Sequence, residues 1–248
     1  AILRLARLSV ERLLDNAPAR RSAPAAPRTI TVIPRDPGID VAALTTGLVQ
    51  ALSRLGRVDL VGSARAARHS SQWFHEVESR NDFVVYAAEP GDTPWTQLCV
   101  RQADVLLLAV RARDEAGPWA ELERHAHAAQ RAELLLIHEG SVVNGAATRW
   151  RQTLPGAPCH HLRGPADMPR IVRLMTHRAV GLVLSGGGAR GFAHLGVVRA
   201  LREHGVPIDL VGGSSMGGIL AAGVAADWTN AELLERFRRS FVDTNPLS

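Results

Sequence analysis

Two short stretches in the second half of this 248-residue chain combine residue types that could break an ester bond. Gly213-Ser214-Ser215-Met216-Gly217 has the G-x-S-x-G spacing of a nucleophile elbow, with an aliphatic run before it and a small-residue helix after it. In such a turn a side chain at Gly213 or Gly217 would collide with the neighbouring strand or helix. The Ser215 hydroxyl is then held exposed at a helix N-terminus, where the helix dipole favours developing negative charge. Upstream, Ser185 leads into Gly186-Gly187-Gly188-Ala189-Arg190-Gly191. Backbone amides from Gly186, Gly187, Gly188, Ala189, Arg190 and Gly191 are donors of the kind an oxyanion hole needs. Gly186, Gly188 and Gly191 also satisfy the G-x-G-x-x-G dinucleotide fingerprint, with Asp209 about 20 residues on. In that fingerprint the acid belongs at the end of the second strand, whereas Asp209 falls at its beginning. Acyl transfer through Ser215 therefore leads. A non-catalytic regulatory or nucleotide-binding α/β protein using the Gly186–Gly191 loop is the alternative.

The elements that must position these loops alternate along the chain. Strands are predicted at Thr29–Pro34, Val58–Val61, Phe83–Ala87, Val105–Val110 and Leu134–His138, with helices at Val41–Leu55, through Trp73 and Phe74, at Trp95–Ala103 and near Trp119–Arg131. The stretch from there to about Gly164 has no clear period. A helix at Ala166–Thr176 leads to a strand at Val180–Leu184, a helix from Phe192 to His204, a strand at Ile208–Val211 and a helix to Ala226. Aliphatic strands alternating with helices predict an α/β class of doubly wound parallel sheets. A further helix opens with a Thr229-x-x-Glu232 capping box and carries Leu233, Leu234, Phe237 and Phe241, read as core packing. Residues 2–14 read as an amphipathic helix with Ile2, Leu5, Leu8, Leu13 and Leu14 near one face. Residues 16–28, with three prolines in 13 residues, read as a semi-rigid linker.

The expected organisation is thus a terminal helix of an upstream domain plus linker (1–28), a Rossmann-like intermediate domain (29–178) and the N-terminal part of a catalytic domain (179–248). The chain starts in mid-helix and stops just after a helix, which reads as a fragment cut at both ends. In the intermediate domain, Asp36, Glu89, His138 and Glu139 lie at strand ends where ligands bind in open α/β sheets. His125, His127 and the His160-His161 pair beside Cys159 lack metal-ligand spacing, so no metal and no other cofactor is expected.

All 29 basic residues are arginine and none is lysine, which excludes a Schiff-base lysine, a P-loop lysine and a kinase-type ATP lysine. The net charge of +5 is spread among alternating acids rather than clustered with aromatic platforms, so nucleic acid is not an expected partner. Cys99 and Cys159 are isolated and read as reduced thiols, no signal peptide is expected, and no apolar run approaches a membrane span. The expected location is cytoplasmic, with peripheral contact to the inner membrane surface.

The Gly186–Gly191 loop, the following His194-Leu195-Gly196-Val197 and the Gly213–Gly217 elbow, in this order and separation, resemble the patatin-like phospholipases, and within them the neuropathy target esterase branch of lysophospholipases with its bacterial members. The preceding α/β region, with Thr93-Pro94-Trp95-Thr96 and Arg101-Gln102-Ala103-Asp104, resembles the segment that joins cyclic-nucleotide-binding domains to the catalytic domain in that branch. The resemblance implies Ser215 as nucleophile, a phospholipid or lysophospholipid substrate, a cyclic-nucleotide effector acting through an upstream domain, and a Ser–Asp dyad. The family aspartate lies in an Asp-Gly-Gly or Asp-Gly-Ala motif. This sequence has no Asp-Gly dipeptide, and Asp209, Asp227 and Asp243 lack that context. The expectation is that the base lies beyond Ser248 and that these residues alone hydrolyse nothing appreciable. His194 and His204 are expected to be surface or packing histidines. Arg190 is expected either to meet a phosphate or to brace its loop.

Overall fold

Residues 26–119, 124–126 and 130–244 are described from a computed structural model. The amphipathic stretch at 2–14, most of the proline-rich linker and most of the helix expected near 119–131 lie outside them. The first unit is a six-stranded sheet in the order β2-β3-β1-β4-β5-β6, every pairing parallel. Its strands are β1 (Thr29–Pro34), β2 (Val58–Gly62), β3 (Phe83–Ala87), β4 (Val105–Arg111), β5 (Arg131–Ile137) and β6 (Cys159–Leu162).

The near-continuous aliphatic runs follow from burial on both faces. In β4, Leu106, Leu108 and Val110 enter one core while Val105, Leu107 and Ala109 enter the other. Burying each such valine or leucine stabilises the fold by about 1.5–3 kcal/mol. Helices α1 (Val41–Leu52) and α5 (Met168–Met175) cover one face; α2 (Ser71–Arg80), α3 (Pro94–Gln102) and α4 (Ala146–Thr153) cover the other. Starts are set locally: Asp40 accepts from the Ala43 amide at α1, and Thr93, ahead of Pro94, accepts from the Thr96 amide at α3.

The doubly wound parallel sheet matches expectation, and several bounds move. The α1 helix ends at Leu52 rather than Leu55, and β5 begins at Arg131. The stretch without a clear period contains α4 and β6. In α4 only Ala146 and Trp150 are buried, a stripe too thin to read among arginines. In β6 the buried positions are His160 and Leu162, and His160 Nε2 lies 2.6 Å from buried Glu133. His138 Nδ1 accepts from the Val143 amide, so its Nε2 donates to His161 Nδ1 at 2.8 Å. The histidines that hinted at metal are therefore taken up in a buried histidine–carboxylate hydrogen bond and a stacked imidazole pair. Burial, then the Arg163 charge, lowers the affinity of His138 for a proton; burial, then His138 and the nearby arginines, lowers that of His161. Cys99 is buried and Cys159 half-buried, both as free thiols. No helix among the described residues is long and apolar enough to cross a membrane.

The second unit is a two-stranded parallel sheet, β7 (Gly181–Leu184) and β8 (Leu210–Gly213), packed against α6 (Ala193–Glu203), α7 (Met216–Ala225) and α8 (Asn230–Arg238). Leu184, Met216, Leu220, Leu233 and Phe237 form its core. Val183 on the opposite face of β7 is 84% exposed. The strand predicted at Ile208–Val211 is displaced two residues along, because Gly181 pairs with Leu210 and Leu184 with Gly213. The Thr229/Glu232 capping box is present. Of the four apolar residues after it, Leu233 and Phe237 are core, Phe241 packs at its edge and Leu234 is exposed.

One buried carboxylate joins the two units. Asp209 receives Arg173 through two hydrogen bonds of 2.9 and 2.7 Å, accepts from the Val180 amide at 2.9 Å, and its backbone carbonyl accepts twice from Arg170. Arg163, held by Asp167, also reaches Asp227 at 2.9 Å.

Candidate active site

The Leu184↔Gly213 pairing makes both glycine-bearing loops leave the same sheet edge at one level. After β8 the chain turns directly into α7, and the residue at the turn is Ser215, with φ 50° and ψ −127°. That is a costly backbone conformation for a residue with a Cβ, of the kind held at functional sites. The surroundings enforce it. A Cβ on Gly213 would lie 2.6 Å from the Gly217 carbonyl, and a Cβ on Gly217 would lie 2.4 Å from the carbonyl oxygens of both Leu184 and Ser185. A Gly217→Ala variant is expected to lose about 1–3 kcal/mol of stability by overpacking against backbone, read as a lower denaturant midpoint.

Ser215 is exposed and sits at the α7 N-cap without spending its hydroxyl there. The positive end of that ten-residue helix is therefore not neutralised by a side-chain cap. No side chain among the described residues hydrogen-bonds Ser215 Oγ. Its neighbour Ser214 ties the two loops together: the Ser214 amide donates to the Leu184 carbonyl, and Ser214 Oγ accepts from the Gly186 amide at 3.0 Å. A Cβ on Gly186 would come within 3.1 Å of Ser215 Cβ, so the glycine loop abuts the elbow. Met216 turns inward, and its Cγ would lie 2.3 Å from a Cβ on Gly191. Glycine at 191 thus lets the loop rest on the elbow.

The loop itself closes into a 3₁₀ turn, Gly188–Phe192, entered with Gly188 at φ 56°. The Arg190 amide donates to the Gly187 carbonyl. The amides of Gly187, Gly188 and Ala189 find no protein acceptor among the described residues. Phe192 anchors the turn, edge-on to Phe237 and Phe241 with ring centroids 6.0 and 6.2 Å away. His194 Nε2 donates to the Ser185 carbonyl at 2.9 Å, and His204 Nδ1 donates to its own helix at Ala200. Both histidines brace backbone, as expected of them. The Arg190 side chain braces nothing among the described residues.

The aspartates near the elbow in sequence are committed elsewhere: Asp209 to Arg173, Asp227 to Arg163, and Asp243 beside Arg238 at 3.8 Å. Burial pushes the Asp209 carboxyl up, but the Arg173 hydrogen bonds, the Val180 amide and the arginine charges outweigh it, leaving its pKa below the ordinary value. Sequence reasoning did not find this clamp. The only signal was an acid at the start of a strand, with arginines spaced three apart on a helix well upstream.

Two family descriptions match the chain. Residues 182–246 match the patatin-like phospholipases, and residues 27–169, more than half of the chain, match the P-loop-like domain of the neuropathy target esterase family. The chain belongs to the neuropathy target esterase family. Among its curated relatives, the lysophospholipase NTE1 of Candida glabrata is 28% identical over 86% of this chain. Patatin-like phospholipase domain-containing protein 7 of Mus musculus is 32% identical over 78%. The neuropathy target esterase sws of Drosophila grimshawi is 30% identical over 78%. The chain spans less than a fifth of these relatives' length, 18%, 18% and 16% respectively.

The P-loop-like unit of this family member carries no phosphate cradle after β1. The β1–α1 loop reads Pro34-Arg35-Asp36-Pro37-Gly38-Ile39-Asp40. Asp36 accepts from the Gly38 amide and from Arg111, and Asp40 takes the Ala43 amide. Carboxylates occupy the helix N-terminus where a nucleotide phosphate would bind.

Proposed function

We propose that this family member is a serine lipid acyl hydrolase that deacylates phospholipids or lysophospholipids through an acyl-Ser215 intermediate. In this reading, residues 29–178 form the intermediate domain and 179–248 the elbow-bearing part of the catalytic domain. The observation that carries it is Ser215 itself, exposed and held at φ 50° against the Gly186 loop by glycines that leave no room for a Cβ. Ser215 Oγ attacks the ester carbonyl while a general base takes its proton. The carbonyl oxygen, now negative, takes hydrogen bonds from the glycine loop, where Gly187, Gly188 and Ala189 have amides to spare. Loss of one such donor costs about 3–4 kcal/mol of transition-state stabilisation. The base returns its proton to the departing glycerol oxygen, and a water activated by the same base then releases the fatty acid.

The base in this reading is the family's aspartate, which none of Asp209, Asp227 and Asp243 supplies: Asp209 is clamped by Arg173, Asp227 is paired with Arg163, and Asp243 lacks the family's Asp-Gly context. Arg190, with no partner among the described residues, is available to the substrate phosphate. Peripheral attachment to a membrane surface and a cyclic-nucleotide effector acting through an upstream domain complete the same reading.

Full-length protein is expected to react with a fluorophosphonate probe at Ser215 and to release fatty acid from lysophosphatidylcholine. Calorimetric titration with NAD or NADP provides the contrast. Stoichiometric binding there, without probe labelling, would favour the dinucleotide reading of Gly186–Gly191 and sink the hydrolase.

A further inference from the structure

We propose that the groove between α1 and α5 is a second lipid site, one that binds the carboxylate form of a medium- or long-chain fatty acid. It encloses about 340 Å³, within the roughly 300–1,000 Å³ of small-ligand pockets. It opens at the carboxyl ends of β5 and β6, where Ile137 and Leu162 form its floor. Open parallel sheets bind ligands at that edge.

The trough is cut by small residues at successive turns of α1, namely Ala43, Gly47 and Ala51, with Met168 of α5 opposite. Gly47 is the telling position. A Cβ there would meet only Met168, at 3.6 Å or beyond, an ordinary contact. Helix packing therefore does not require glycine, yet a glycine inside a helix costs about 1 kcal/mol relative to alanine. What glycine at 47 provides is open space in the trough.

The polar groups select the head. Of the two arginines at the groove, Arg163 is already held by Asp167 and Asp227, whereas exposed Arg54 makes no ion pair or hydrogen bond among the described residues. His138 also lines the groove, but both of its nitrogens are taken, by the Val143 amide and by His161. It offers the ligand ring carbon rather than a polar contact. One uncommitted cation beside apolar walls suits a single negative charge on a hydrocarbon chain. A polyphosphate is disfavoured, since Asp40 already caps the α1 N-terminus. The inference rests on the groove alone and does not depend on Ser215 being a nucleophile.

The test is a fluorescence titration of the full-length protein with 11-(dansylamino)undecanoic acid, with decanoate as competitor. Saturable one-to-one binding is expected. Arg54→Gln should weaken it by at least about tenfold, the loss of one charge-assisted hydrogen bond. Gly47→Leu, which fills the trough while improving helix propensity, should weaken it further. Decanol should compete more poorly than decanoate against the parent protein, and equally against Arg54→Gln. Probe labelling of Ser215 should be unchanged in both variants. Arg54 is exposed, so its variant keeps the test informative if Gly47→Leu fails to fold. Equal affinity in the parent and Arg54→Gln would overturn the proposal. So would binding that fluorophosphonate treatment abolishes and Gly47→Leu leaves intact, because the ligand would then sit at Ser215.

Discussion

Ser215→Ala is expected to abolish fluorophosphonate labelling and to lower lysophospholipid hydrolysis by on the order of 10⁴-fold or more, as loss of a covalent nucleophile does. Its melting temperature should stay at the parent value, since alanine inherits the same strained backbone and Ser215 Oγ has no intramolecular partner to lose. Ser215→Gly separates strain from chemistry. At φ 50° and ψ −127° glycine pays no Cβ penalty, and relief of such strain is worth on the order of 1–3 kcal/mol. The glycine variant should therefore be as inactive as the alanine variant yet more stable, a higher denaturant midpoint at unchanged slope. Retained labelling in either variant would place the nucleophile elsewhere. A glycine variant no more stable than alanine would mean that the turn is not strained.

Asp209→Ala is expected to destabilise the protein by about 3–5 kcal/mol, the usual consequence of removing one partner from a buried ion pair. The Arg173 guanidinium and the Val180 amide lose their acceptor, while Arg170, which donates to the backbone carbonyl of residue 209, loses only a nearby counter-charge. Asp209→Asn, which keeps an acceptor oxygen, should lose less. An Arg173→Ala, Asp209→Ala cycle should show strong coupling, and additivity would mean that the pair does not work as a unit. The pH dependence follows from the lowered carboxyl pKa. A group with a depressed native pKa adds stability above its unfolded value, near 3.8, and loses that contribution as pH falls through the native value. The parent protein should lose stability below about pH 4, and Asp209→Asn should lose less over the same range.

Much of the first unit was legible because its physics is written in runs. β4 is aliphatic at every position from Val105 to Val110 and buries both faces. The stretch containing α4 and β6 was not legible because its buried groups are polar or solitary. His160 is buried against Glu133, 27 residues earlier in sequence, and Trp150 is an anchor among arginines. At the elbow, the glycines predicted the turn, and the space around Gly213 and Gly217 supplies the reason. The Ser214–Gly186 hydrogen bond and the Asp209 clamp escaped because each joins residues that no period relates. The two predicted C-terminal strands were placed slightly early, since register is fixed by pairing rather than by where the aliphatic run begins.

The loop after β1 bears on what the first unit can hold at that edge of its sheet. Asp36 and Asp40 occupy the amides with which relatives of a phosphate-cradling fold grip a triphosphate, and Arg111 closes over Asp36. A phosphate approaching this end of α1 meets two carboxylates rather than free amides. The tie to the second unit lies apart from this loop, in Arg170 and Arg173 of α5 with Asp209.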